Sequence, residues 1–250
     1  MKYGVQLYSI RDITKDDFDK ALEQVAQMGY SLVESAGFFD HGAEEVKKML
    51  EKHGLTLCST HTSFKSVDND IDSVIEFHRT VGCKDIIIPG APLSTKEEVD
   101  HLVDVINAVQ PKVEAAGMRL HYHNHSKEFM PNNDGMIVED ELAKRTNVLF
   151  ELDTFWIFNA GLDPIEIIDK YADRVLFVHL KDGIPQDFSD PESRAIGKSL
   201  GSGNAPVEAV RAKAIDMGLT MVVESEGLDP TGPEEVKRCI EYLKELDAKA

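Results

Sequence analysis

The sequence predicts an α/β chain folded as a single (β/α)8 TIM barrel, and three observations point there. Short apolar runs alternate with longer amphipathic stretches through all 250 residues, the pattern of repeated βα units. Glycine follows helix-like stretches at Gly29, Gly54, Gly82, Gly117 and Gly218, where a left-handed residue ends a helix at little cost. Several apolar runs (IIIP, VLFEL, VLFVHL) lack polar alternation, as do parallel strands covered on both faces.

The elements follow in order. A strand-like run at 3–8 precedes a helical pattern at 15–28, and 31–34 precedes 43–53. Then 55–61 leads to 71–81, 85–89 to 95–116, and 118–123 to a weaker helix at 137–145. The last three pairs are 148–153 with 164–171, 174–180 with 206–217, and 219–224 with 233–246. About eight units in a chain of this length match the usual size of the barrel. An open doubly wound sheet would carry a glycine-rich turn after its first strand, and VQLYSIRD is not one. No linker divides the chain, so one domain is expected over 1–250. The longest irregular stretch, 183–205, reads either as a substrate lid or as a surface insertion.

Composition narrows the partners. The formal net charge of −18, with no run of lysine and arginine, repels phosphate backbones and disfavours nucleic acid. Cys58, Cys83 and Cys239 are few and far apart, so neither a disulfide framework nor a cysteine zinc site is indicated. The N-terminus, MKYGVQLYSIRD, has no apolar signal core, and no stretch approaches membrane-spanning length. A cytoplasmic location without membrane association is expected. The helix patterns do not set the oligomeric state, and a homo-oligomer stays open.

In this fold functional groups gather where strands end. The first three strands offer Gln6 and Tyr8, Glu34, and His61. The fourth ends in IIIPGAP without an acid or a histidine. The fifth brings His121, His123 and His125, with Glu128 shortly after. The last three bring Glu151 and Asp153, His179 and Lys181, and Glu224 and Glu226. A lone residue of this kind is commonly a loop cap or a surface charge. Acids and imidazoles that each close an apolar run are different, because burying them is costly unless they are paired or bind a metal. Such a carboxylate–imidazole set suits Mn, Mg, Co, Zn or Fe. Side-chain alternation puts Glu151 and Asp153 on one face and makes His123 the best-placed histidine of its strand.

At these residues the chain resembles the xylose isomerase-like TIM barrel family, in its sugar phosphate isomerase/epimerase branch. The likeness spans nearly the whole chain: GVQLYSIRD, VESAGF, HYHNHSKEF, FELDTFWIFNAGLDP, VHLKDG, GSGN and VVESEG, in order. The resemblance implies a divalent metal held by His123, Asp153, His179 and Glu224. Two positions depart from the family pattern. His123 stands where many members have glutamate, and Trp156 stands where the sugar epimerases have histidine.

The activity implied is that of a metal-dependent sugar isomerase or epimerase acting on a small, unphosphorylated sugar or keto-sugar. The metal polarises a carbonyl, and a base removes the neighbouring proton to give an enediolate. Glu224 is the expected base, with Glu128 or His61 as the partner acid. Lys181 and Arg11 are expected to bind substrate oxygens, or else to be ordinary loop charges. Trp156 is expected to form a stacking wall for a sugar ring, or else to pack in the core. A lyase or 3-keto-glycoside-cleaving enzyme using the same chemistry is one alternative, and a non-catalytic carbohydrate-binding barrel is another. An abasic-site endonuclease on the same fold is disfavoured by the net charge.

Overall fold

The structure is a computed structural model and describes residues 1–249. The strands, in chain order, are β1 (Gly4–Gln6), β2 (Leu32–Ser35), β3 (Thr56–His61), β4 (Asp85–Ile88), β5 (Arg119–His123), β6 (Leu149–Asp153), β7 (Val175–Leu180), β8 (Asp182–Ile184), β9 (Ile196–Lys198) and β10 (Thr220–Val223). Eight of them close a parallel barrel in the order β1-β10-β7-β6-β5-β4-β3-β2. The barrel's eighth strand is therefore β10. The antiparallel hairpin β8–β9 intervenes after β7.

The helices are α1 (Arg11–Thr14), α2 (Phe18–Met28), α3 (Ala43–His53), α4 (Phe64–Val81), α5 (Lys96–Ala115), α6 (Val138–Arg145), α7 (Thr154–Asn159), α8 (Pro164–Lys170), α9 (Val207–Met217) and α10 (Gly232–Lys249). None of these is long and apolar enough to cross a membrane. Helix starts and stops have local causes. Asp17, Ser63, Thr95 and Asp163 each cap a helix with a side-chain oxygen, satisfying a backbone N–H that lacks an intrahelical partner. Gly29, Gly54, Gly82 and Gly218 take left-handed dihedrals at the C-caps of α2, α3, α4 and α9.

Three differences from the sequence reading are physical. Helix α4 starts at Phe64 rather than at 71, because Asp70 leaves helical geometry (φ −152°, ψ 56°) and splits it into two runs. The segment TFWIFN is helical, since Asp153 both ends β6 and caps α7. The stretch 183–205 contains strand β9 of the hairpin, which is too short to show a period-2 pattern.

The core lies between the barrel and its ring of helices. Alternate residues of the strands, such as Val5, Val33, Ile86, Ile88, Leu120, Phe150, Leu152, Val178 and Val223, pack outward into it. Each fully buried side chain of this kind stabilises the fold by about 1.5–3 kcal/mol. The opposite faces of the same strands line a largely polar lumen, with Gln6, Glu34, His121, His123, Glu151, Asp153 and His179 all buried. At its N-terminal end, Asp85 binds Arg119 through two 2.6 Å hydrogen bonds and lies 2.8 Å from His121.

Candidate metal centre and active site

The register of the last strands assembles the site. Asp153 pairs with His179 across β6 and β7, and Val222 pairs with His179 across β10 and β7. The next inward residue after Val222 is Glu224. Asp153 Oδ1 accepts the Trp156 N–H at 3.0 Å as the cap of α7. Its Oδ2 is buried without a hydrogen-bond partner, as is His179 Nδ1. These two atoms are 3.8 Å apart, and Glu224 Oε2 lies 3.4 Å from the same nitrogen. One ligand atom each from Asp153, His179 and Glu224 lie within 4.8 Å of one another. Two carboxylates and an imidazole, with buried donor atoms left unpaired, fit a divalent cation of the hard-to-borderline kind.

Lys181 stands beside this trio. It is 1% exposed, and its Nζ lies 2.9 Å from Glu224 Oε2, 2.6 Å from Glu226 Oε1 and 3.5 Å from Asp153 Oδ2. The ammonium also sits 4.6 Å from the centre of the Trp156 ring, a cation–π distance. Burial works to raise the Glu224 carboxyl, but the Lys181 charge and the His179 ring together hold it well below the usual range. Burial works against the Lys181 ammonium, and Glu224, Asp153 and Glu226 outweigh it, so its pKa is raised.

A second group lies deeper. His179 Nε2 is 2.8 Å from Glu34 Oε1 and 3.3 Å from Glu151 Oε2. Glu151 Oε2 also meets His61 Nε2 at 2.8 Å and His123 Nδ1 at 3.0 Å. Glu34 is fixed by Gln6 Nε2 at 2.6 Å and Ser59 Oγ at 2.5 Å. Burial, and then the charge of Glu151, raises the Glu34 carboxyl. Burial pushes the His123 imidazole down to about 3, which keeps the ring neutral at physiological pH. Burial opposes protonation of His179 too, but Glu151 and Glu34 reverse the balance and raise its pKa well above the ordinary value.

The residues expected from the sequence separate into three sets. Asp153, His179 and Glu224 converge as described. His123 is drawn instead into a set with His61, Glu151 and His179, although its ring centre is only 4.8 Å from that of His179. His61, His123, Trp156 and Glu224 line a cavity of about 990 Å³ at the C-terminal mouth. Asp153, His179 and Lys181 are buried behind that lining.

The other two, Glu128 and Arg11, do not reach the cavity. Glu128 accepts the Tyr122 hydroxyl at 3.1 Å and the His125 N–H at 2.8 Å. Tyr122 points outward from the lumen, and Glu128 goes with it to brace the turn after β5. Arg11 donates to the backbone oxygens of Tyr8 and Glu226 and stacks over the Tyr8 ring at 4.5 Å, so it backs the wall that Tyr8 presents. The stretch 183–205 contributes nothing to the cavity lining. It is tied down instead by Asp182, whose carboxylate accepts N–H bonds from Gly183, Gly201, Gly203 and Ala205.

Sequence reasoning did not assign roles to Glu34, Glu151, His125 or Glu226. Glu226 and His125 line the cavity, and their spacing of two from Glu224 and His123 was the available signal. The Glu34–His179 contact joins residues 145 positions apart and has no local signature.

Comparison with known proteins agrees with this architecture. Residues 22–246 match the family model described as xylose isomerase-like TIM barrel. The chain is 26% identical to an inosose dehydratase of Geobacillus kaustophilus over 66% of its own length and 61% of the relative's. It is 24% identical to an inosose dehydratase of Clostridium beijerinckii, covering 68% of this chain and 65% of that one. The chain thus spans less than two thirds of either relative. Among solved structures it resembles a sugar phosphate isomerase/epimerase from Parabacteroides distasonis, with TM-score 0.79 and 24% identity over 97% of this chain and 93% of that one. It also resembles a probable 3-DHS dehydratase from Bacillus anthracis, with TM-score 0.75 and 14% identity over 98% and 99% of the two chains. At these identities the solved structures speak to the fold alone. The breadth of the family match, together with the closed barrel, makes the chain a member of the xylose isomerase-like TIM barrel family.

Proposed function

We propose that this chain is a divalent-metal-dependent lyase acting on a small, unphosphorylated keto-sugar or keto-cyclitol. It would remove the proton beside the carbonyl and expel the group on the next carbon. The observation that carries this reading is the convergence of Asp153, His179 and Glu224 at the base of a large cavity, with Asp153 Oδ2 and His179 Nδ1 buried and unpaired. His123, adjacent to His179, is the fourth donor in this reading. Manganese, magnesium, cobalt, zinc or iron(II) would suit the set. Bound there, such an ion would polarise a substrate carbonyl and acidify the neighbouring C–H.

The chain's own groups supply the rest. Glu224 reaches both the trio and the cavity, and it accepts the proton from carbon. Lys181 holds Glu224 and Glu226 in place and keeps Glu224 ionised. His61 faces the cavity from the opposite strands and gives a proton to the departing oxygen. Trp156 presents a flat wall on which a ring can stack. Among the described residues, no lysine or arginine lines the cavity, which agrees with a substrate that carries no phosphate.

An isomerase or epimerase would share the proton removal and differ only afterwards. The dehydratase names of the curated relatives favour elimination. The test is to incubate the manganese-loaded protein with 2-keto-myo-inositol in deuterated water and follow it by mass spectrometry. Loss of one water from the substrate is expected. Deuterium incorporation without loss of water would replace the lyase with an isomerase.

A further inference from the structure

Strand β5 stops short of the point where β6 places Asp153. The parallel pairing of the two strands ends at His123 with Glu151, and Asp153 lies two residues further along β6. A backbone rung is missing on that side, and the N–H and C=O of a buried residue must find other partners. Asn124 supplies both. It is fully buried. Its Oδ1 accepts the Asp153 N–H at 3.0 Å, and its Nδ2 donates to the Asp153 carbonyl oxygen at 3.2 Å. A neutral amide offers one acceptor and one donor side by side, as a peptide does, whereas a carboxylate lacks the donor.

A side chain in place of a strand frees β5 to turn. The chain leaves the barrel at Asn124, so that His125 reaches the cavity wall and Glu128 braces the turn behind it. Meanwhile the Asp153 backbone is gripped on both sides of its Cα. That grip matters because the Asp153 carboxylate divides its oxygens. Oδ1 caps α7 at the Trp156 N–H, and Oδ2 is left unpaired beside His179. A carboxylate split between two directions tolerates little rotation of its backbone, and the hydrogen bonds behind a ligand are what hold it in a productive geometry. We infer that Asn124 is a positioning residue for Asp153. It sets the affinity of the centre for its ion and lines no part of the cavity itself.

The same turn contains a second fastener that serves as a contrast. Ser126 Oγ donates to the Trp156 carbonyl oxygen at 2.8 Å and accepts from Asn159 Nδ2 at 2.8 Å. It ties the turn to α7 and makes no bond to Asp153. Asn124 therefore acts at the ligand, and Ser126 acts one helical turn further on.

This role rests on the reading of Asp153 as a metal ligand, and one of its two measurements needs no metal. Amide hydrogen exchange, followed by NMR on the metal-free intact protein, reads the Asp153 N–H directly. Exchange there is expected to be slow in the wild type and at least about tenfold faster in Asn124→Ala. Calorimetric titration with manganese reads the consequence. Affinity is expected to fall about 10–100-fold in Asn124→Ala, as it does when other groups that orient a ligand are lost. It is expected to keep its wild-type value in Ser126→Ala, which loosens the same turn at Trp156. Unchanged exchange at Asp153 overturns the proposal. So does unchanged manganese affinity in the folded Asn124 variant, or an equal loss in Ser126→Ala, which would make the turn merely structural. A wild type that binds no manganese removes the metal centre and this role with it, whatever the exchange at Asp153. If Asn124→Ala does not fold, Asn124→Ser, too short to span both partners, takes its place under the same criteria.

Discussion

Glu34 Oε1 lies 2.8 Å from Nε2 of His179, from the far side of the barrel lumen. The contact fixes which imidazole nitrogen is free. With Nε2 committed to Glu34, Nδ1 faces Asp153 and Glu224, the arrangement in which a carboxylate orients a metal-binding histidine. Glu34→Gln should leave the barrel folded but weaken manganese binding by about 10–100-fold. Competition against a fluorescent chelator checks this, and unchanged affinity would remove Glu34 from the site.

Lys181 shares its carboxylate partners with the proposed ion. Replacing it with methionine leaves Glu224 and Asp153 buried without their cation, a loss of about 3–5 kcal/mol when a buried pair is broken. Lys181→Met should therefore lower the melting temperature of the metal-free protein sharply. Added divalent metal should recover more stability in the variant than in the wild type. Equal recovery in both would show that the ion and the ammonium do not share these groups.

Asp182 organises the loop that follows the hairpin. Its side chain accepts four backbone N–H bonds while 1% exposed. Asp182→Asn should cost about 1.5–3 kcal/mol, the worth of a charged acceptor, and should speed proteolysis within 199–205. Gly203→Ala should have a similar effect, because an added Cβ would collide with Asp182 Oδ1 and the Gly183 backbone.

Asp85 gives a pH signature remote from the mouth. Burial works to raise its carboxyl, but the hydrogen bonds from His121 and Arg119 win and lower it. A carboxyl depressed in the folded state stabilises the protein above the unfolded value of about 4 and loses that contribution as pH falls through the folded one. Asp85→Asn should lower the urea midpoint at pH 7, by about 1.5–3 kcal/mol in stability. Its difference from the wild type should shrink below about pH 4. A difference constant down to pH 2 would contradict the assignment.

The barrel was legible because its signals are local. Apolar runs and glycines such as Gly29 and Gly54 each act within a few residues. The same locality located Asp153, His179 and Glu224, which close apolar runs at strand ends. Glu128, expected as a partner acid from the resemblance, lies away from the cavity because the turn after β5 carries its carboxylate to Tyr122 and the His125 N–H. Arg11 was misplaced for a similar reason, as the helical turn after β1 directs it to backbone oxygens. Glu34 meets His179, and His61 meets Glu151, across the lumen between strands that are not neighbours. Only closure of the barrel brings such residues together.

The proposed function requires Asp153, His179 and Glu224 to hold a divalent ion. The most direct measurement is a titration of chelator-stripped protein with manganese, by calorimetry and by metal analysis after gel filtration, for the wild type and for Asp153→Asn with Glu224→Gln. One ion per chain is expected in the wild type, with binding abolished in the double variant while its circular dichroism is retained. An absence of bound metal in the wild type, or undiminished binding in the folded double variant, would contradict the proposal.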